Sequence, residues 1–309
     1  MMKYWCYGIC LLLILACGCV AGEERGEAGD LREYLLAAVS YAEMHGKEAA
    51  LVEFGKPDGA FTYDGWYIYA YDDDCILLAH PYEEASVGLN RSGWTDSRGL
   101  PVIRIGSDVA QAGGGYITYL YPRPGDAGID EAAFSTYELK LGYVMPVDDD
   151  WWLGSGVALA DLTWDEGYPP VIRDMVALVV DGTAYAGREG DAAALTEISD
   201  PGGRFVNANG HYLYAYRYDG TLIGHPHLPE MIGSNLIDRE DQYGMRMIGS
   251  LAATARDGGG FVVFIWPNPE EGNRDELKIG YVMPVDDDWW LGSGVYLSEV
   301  TGEYTPIRG

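Results

Sequence analysis

Two histidines hold the most chemical promise: His80 and His225 each close a run of β-forming residues, and each is followed by proline. An imidazole in such a place can donate a hydrogen bond to a carboxylate or a carbonyl. The alternative is a buried ring bonded to backbone at a strand end. Upstream of them, Tyr67, Tyr69 and Tyr71 alternate with Ile68 and Ala70, and Tyr212, Tyr214 and Tyr216 alternate with Leu213 and Ala215. Each trio of phenols therefore shares one strand face, where it either lines a polar pocket or packs beneath a helix. Lys140 and Lys278 stand just ahead of Gly-Tyr-Val in otherwise apolar strands. They are either cations facing an anionic ligand or edge lysines that extend their ammonium groups to water.

Other constellations carry less chemistry. The triplets Asp148 to Asp150 and Asp286 to Asp288 lack the alternating oxygen ligands and central glycine of a calcium loop, and read as solvated turns. His225-Pro226-His227 offers two imidazoles, but the matching His80-Pro81-Tyr82 lacks the second. With no cysteine or carboxylate cluster to complete a coordination sphere, no metal site is expected. The serine-hydrolase elbow, the zinc-protease helix motif, the phosphate-binding loop and the dinucleotide fingerprint are all missing. The expectation is therefore ligand capture without catalysis and without a cofactor. Cys75, between Asp72-Asp73-Asp74 and Ile76-Leu77-Leu78, reads as a small apolar residue in a strand.

The chain that positions these groups has 309 residues, the right length for two domains. Its 20 basic and 48 acidic residues give a formal charge of −28, which repels nucleic acid and anionic lipid headgroups alike. Met1-Met2-Lys3, the apolar run to Ala16 and the small residues after it form a signal peptide over residues 1–22, too short to span a membrane. The Leu-Ala-Cys and Gly-Cys steps resemble a lipobox, placing a lipid on Cys19 or Cys17. Lipid anchoring at the cell surface follows as the protein's only contact with a membrane, with simple secretion as the alternative. Four of the five cysteines lie in this leader, so no disulfide framework is expected.

Behind a short linker at residues 23–29, the sequence repeats itself. Gly142–Val157 and Gly280–Val295 are identical, and His80-Pro81, Gly88 and Gly113-Gly114-Gly115 return as His225-Pro226, Gly233 and Gly258-Gly259-Gly260. A period of about 140 residues makes each copy a domain rather than a stacking unit. The copies span residues 30–163 and 171–302, with a linker at 164–170 and a tail at 303–309. Each opens with a long helix. In the first, Asp30 and Glu33 have capping-box spacing, and Leu31, Leu35, Ala38, Val39 and Ala42 share a face up to about His45. A short helix follows over Lys47 to Phe54. In the second copy, Pro169-Pro170 introduces the long helix and Asp191 to Ile198 forms the short one. Trp66 to Tyr71, Cys75 to Ala79, Tyr116 to Tyr121, Leu139 to Val147 and Trp151 to Leu159 read as strands, the last two joined by the Asp turn. Helices ahead of strands give an α+β fold with an antiparallel sheet.

Gly46 to Leu51, Phe61 before an aromatic strand, Ala79-His80-Pro81, Gly88, the Asp96 to Gly99 turn, Gly115-Tyr116 with Tyr119, and Lys140 to Gly156 together resemble the small Cache sensor family. The second copy repeats the set, from Gly190 to Leu195 through Gly224-His225-Pro226 to Lys278 to Gly294. The resemblance implies two PAS-like domains that bind small organic molecules, often carboxylates or amino acids, outside the cell. On it, Tyr67, Tyr69, His80, Tyr119 and Lys140 in the first copy, and Tyr212, Tyr214, His225 and Lys278 in the second, are the expected ligand-binding residues. Such domains usually belong to receptors, so a membrane receptor is an expected partner. The rival reading is a surface protein that binds a partner receptor without a small ligand; a hydrolase using paired carboxylates ranks third.

Overall fold

The computed structural model describes residues 28–63, 65–122, 137–161 and 167–308. The signal peptide, the lipobox cysteines and Arg123-Pro124 lie outside the described residues. The first helix, α1, runs over Ala28–His45 and buries Leu31, Tyr34, Leu35, Ala38 and Ala42 on one face. It begins before Asp30, which sits in the first turn rather than capping the helix. Gly46, at φ 82, bends the chain into α2 over Lys47–Phe54. A small hairpin of β1 (Thr62–Tyr63) and β2 (Trp66–Tyr67) leads to β3 (Tyr69–Asp72) and β4 (Leu77–Ala79). After a helix α3 over Val102–Gln111 come β5 (Gly115–Pro122), β6 (Tyr137–Pro146) and β7 (Trp151–Ala158). The sheet is antiparallel throughout, in the order β4-β3-β7-β6-β5.

The second domain repeats this plan. Helices α4 (Pro170–Glu189) and α5 (Asp191–Ile198) precede β8 (Tyr214–Arg217) and β9 (Leu222–Gly224). Then follow α6 (Met247–Arg256), β10 (Gly260–Asn268), β11 (Arg274–Pro284), β12 (Trp289–Tyr296) and a closing α7 (Leu297–Thr301). Sheet order β9-β8-β12-β11-β10 matches the first domain strand for strand. In both sheets, period-two alternation sends one set of side chains to the long N-terminal helix and the other to the inserted helix. Trp151, Leu153 and Leu141 take the first face, Trp152 and Tyr71 the second.

Several expectations need correction. Helices do not all precede strands: α3 and α6 interrupt the sheet order and cover the face that carries the phenols. Val102, Ile105 and Val109 already show helical spacing between Pro101 and Gly113, but the β-branched run Val-Ile-Arg-Ile masks it. Trp66 to Tyr71 is two strands broken at Ile68, and Tyr212 likewise precedes β8. Cys75 is not a strand residue. It has φ 63 in the turn before β4, with its buried thiol 3.9 Å from the Ile103 carbonyl. Nor are the domains separate: one hydrophobic cluster joins residues of both, and strand β5 lies beside β10. Residues 303–308 are more than a tail, since Thr305 is buried against Tyr116 in the first domain.

Candidate functional site

In the first domain, β2, β3 and β5 bring five phenols to one place. Tyr69 and Tyr71 point from β3 onto the face covered by α3, and Tyr119 and Tyr121 point there from β5. The repeated block makes room for them. A methyl group at Gly154 would fall 2.3 Å from the Tyr69 ring, and one at Gly156 would fall 2.4 Å from the Tyr119 hydroxyl. Burial pushes all five phenols up, Tyr119 to about 12, so they act as neutral donors and acceptors. Together with Val102 and Ile103 of α3 they line a small, open cleft with a cavity volume of about 30 Å³.

His80 enters this cleft from the end of β4. The Tyr82 backbone N–H donates to its Nδ1 at 3.1 Å, so the neutral ring carries its proton on Nε2. Burial pushes the imidazole down to about 4, with Arg91 adding to that effect and Glu83 opposing it. At neutral pH the ring is therefore an uncharged donor.

Beside it lies a polar group of separate origins. Arg91 Nη1 donates to Glu83 Oε2 at 2.8 Å, and the Tyr121 hydroxyl donates to Glu83 Oε1. His80 Nε2 is 3.8 Å from that same Oε1. Burial would push the Glu83 carboxyl up, but Tyr121, His80 and Arg91 hold it below the usual carboxylate range. The Arg91 guanidinium lies 5.7 Å from the Trp94 ring, which contacts Tyr121 in turn. Asp96 fixes this loop. Its carboxylate accepts the N–H groups of Arg98 and Leu100, and that of Leu120 in β5, although burial raises it to about 6.

The second domain keeps the histidine and the three phenols Tyr212, Tyr214 and Tyr216 but changes their surroundings. His225 Nδ1 accepts the N–H groups of His227 and Leu228, and burial pushes the ring down to about 4. Tyr212 packs against both His225 and His227, each with ring centroids at 4.8 Å. Where the first domain has Glu83, Arg91, Trp94, Tyr119 and Tyr121, the second has Leu228, Leu236, Arg239, Phe264 and Trp266. Arg239 stacks over Trp266 at 4.3 Å. Lys278 is 6 % exposed, with its ammonium 4.1 Å from the Tyr296 ring and 5.9 Å from that of Tyr212. Burial pushes it down to about 8, against the pull of Glu299 and Glu276. Those carboxylates bond elsewhere: Glu276 to Asn268 and the Ser298 N–H, Glu299 to His211 and the Tyr296 N–H.

The model of the single Cache domain 2 family matches residues 50–165 and again residues 176–308. The chain belongs to this family. A sensor histidine kinase of Rhizobium johnstonii, MctS, is 38% identical over 90 residues, which cover 29% of this chain and 19% of that kinase. This chain thus matches less than a fifth of that relative's length. A methyl-accepting chemotaxis protein from Vibrio parahaemolyticus is 26% identical over 42% of this chain and 90% of its own, with a TM-score of 0.36. A Cache chemosensory domain solved for its recognition of carboxylic acids is 24% identical over 41% of this chain and 88% of its own, with a TM-score of 0.33.

In the first Cache domain, Tyr67, Tyr69, His80 and Tyr119 meet at the cleft wall. Lys140 does not line it. That lysine pairs across the sheet with Tyr119, is 3 % exposed, and has its ammonium 3.8 Å from Glu138 Oε1. In the second Cache domain, Tyr212 touches His225 and lies near Lys278, and Tyr214 packs edge-on to Trp290. Sequence reasoning missed Glu83, Arg91, Trp94 and Tyr121. The one available signal was that all four differ between otherwise matching copies. Among the described residues no group of His, Cys, Asp and Glu is arranged to hold a metal ion, and no helix is long and apolar enough to cross a membrane.

Proposed function

We propose that this chain is an extracytoplasmic binding protein whose two Cache domains, residues 30–163 and 171–302, capture small organic ligands without chemical conversion. The ligand class is small anions such as carboxylates or amino acids. The observation that carries this reading is the first domain's cleft, where phenols and an uncharged His80 Nε2–H converge beside the Arg91 guanidinium. Neutral donors around one cation suit a compact anionic head, while the aromatic walls suit a short apolar body. In the second domain His225, Tyr212, Tyr214 and Lys278 take the corresponding roles, with the buried ammonium as the cation. Lys140 adds positive charge behind Tyr119 in the first domain. A signal peptide over residues 1–22, with lipid on Cys19 or Cys17, places the protein at the cell surface, where a membrane receptor is the partner that reads its ligand state.

A thermal-shift screen of the leaderless protein tests this, because a ligand selective for the folded state raises its melting temperature. A dose-dependent rise with one class of small carboxylate or amino acid, reduced in His80→Ala or His225→Ala, is the expected outcome. No rise across carboxylates, amino acids and sugars sinks the reading in favour of a surface protein that binds only a macromolecular partner.

A further inference from the structure

Glu83 is an acid inside the cleft proposed to take an anion. Its two oxygens take the Arg91 guanidinium and the Tyr121 hydroxyl, the two donors best suited to a ligand's carboxylate, and His80 Nε2 faces the same oxygen as Tyr121. Its side chain is 19% exposed and that of Arg91 14%, so the pair is mostly shielded from water. The second domain holds no such group: Leu228, Leu236 and Trp266 replace all three partners, while His225 and the phenols Tyr212, Tyr214 and Tyr216 persist. The local frame is unchanged, since Glu83 at φ −121, ψ 43 and Leu228 at φ −128, ψ 54 precede matching short helices. The difference therefore lies in the side chains, not in the backbone that carries them.

We infer that Glu83 sets the first domain's affinity for carboxylates by occupying, from within the chain, the cation and hydroxyl that a ligand carboxylate would use. The inference rests on reading the cleft as a small-anion site. A tethered competitor acts at an effective concentration in the millimolar range or above, and lowers apparent affinity by the fraction of time it holds the site. With Glu83 in place the cleft is charge-balanced and the incoming anion must displace it. Without it, Arg91 is a mostly buried cation lacking a counter-ion, which an external carboxylate neutralises. Two domains that share the histidine and three of the phenols would then respond over different concentration ranges.

Isothermal titration of the full leaderless chain with acetate, propionate and succinate tests this. Glu83→Gln keeps an acceptor for Tyr121 but removes the charge, and should tighten binding of at least one of the three by tenfold or more. Adding Arg91→Leu, the residue type of the second domain, should abolish the gain. Glu83→Leu, again the second domain's residue type, gives an independent reading should the glutamine variant fold poorly. Unchanged or weaker binding in both Glu83 variants, with clear binding by the parent chain, overturns the role of Glu83 and leaves the small-anion reading intact. Absence of binding to any of the three acids in parent and variants alike overturns both.

Discussion

Thr305, near the end of the chain, accepts the backbone N–H of Tyr116 through its hydroxyl at 3.0 Å, at the start of the first domain's edge strand. An edge strand exposes unpaired backbone groups, and here the second domain's last segment covers one of them. Arg308 adds a bond to Gln111 at the end of α3, and Tyr243 of the second domain donates to Asp108 in the middle of that helix at 2.5 Å. Ser250 bonds the Arg98 carbonyl and Arg98 pairs with Asp257, so the loop carrying Trp94 and Asp96 also leans on the second domain. The wall of the first cleft is thus held partly by the other domain.

Thr305→Val should strand a buried N–H and cost about 1–3 kcal/mol of stability. Thr305→Ser, which keeps the hydroxyl, should lose much less. Chemical denaturation measures both, and amide exchange in β5 should rise in the valine variant alone. Equal stability of the two variants would falsify the strap.

Gly154→Ala places a methyl group against the Tyr69 ring and should destabilise the protein by about 1–3 kcal/mol through overpacking. Gly93→Ala meets nothing within 4 Å and serves as the control. Melting curves of the two variants separate steric crowding at the phenol from a general cost of replacing glycine.

Acid should weaken the fold before any carboxylate of ordinary pKa is protonated. His80 and His225 stay neutral in the folded protein down to about 4, against an ordinary value of 6.5. The unfolded chain takes up protons first, so the stability they contribute is full above pH 6.5 and declines as pH falls toward 4. By pH 5 each costs at most about 2 kcal/mol. Asp96 acts in the opposite sense: raised to about 6, it is protonated earlier in the folded state and returns about 1.4 kcal/mol by pH 5. A net loss of roughly 2–3 kcal/mol between pH 7 and pH 5 is expected from these three groups. Denaturant titrations across that range check the sum, and His80→Gln should flatten the slope.

Lys278 predicts an alkaline limit on anion binding in the second domain. Its ammonium loses its proton near pH 8, well below the ordinary lysine value of 10.5. Carboxylate affinity in the second domain should fall as pH rises through about 8, and Lys278→Met should remove it at every pH. Because burying an ammonium is costly, the methionine variant without ligand should match or exceed the parent in stability. Calorimetric titration at pH 6.5 and pH 9 reads the first effect; a pH-independent affinity removes Lys278 from the site.

The amino-acid order by itself determined the duplication, the α+β class, the paired helices that open each copy, and the face on which the phenols lie. Those features are local: helical spacing in Leu31, Leu35 and Ala38, strand alternation in Tyr67, Tyr69 and Tyr71, and the glycine or proline that punctuates each run. The His-Pro pairs were visible for the same reason. Only the tertiary structure decided what the histidines meet. Glu83, Arg91 and Tyr121 come from a turn, a loop and an edge strand, and no spacing along the chain announces that they touch. It also left Lys140 outside the cleft lining, although that lysine shares a sheet face with its cross-strand partner Tyr119, with its ammonium beside Glu138. The inserted helix α3 forms where packing over a sheet outweighs the β preference of its valine and isoleucine residues. The strap from Thr305 to Tyr116 joins residues 189 positions apart, which become neighbours only once both domains have formed.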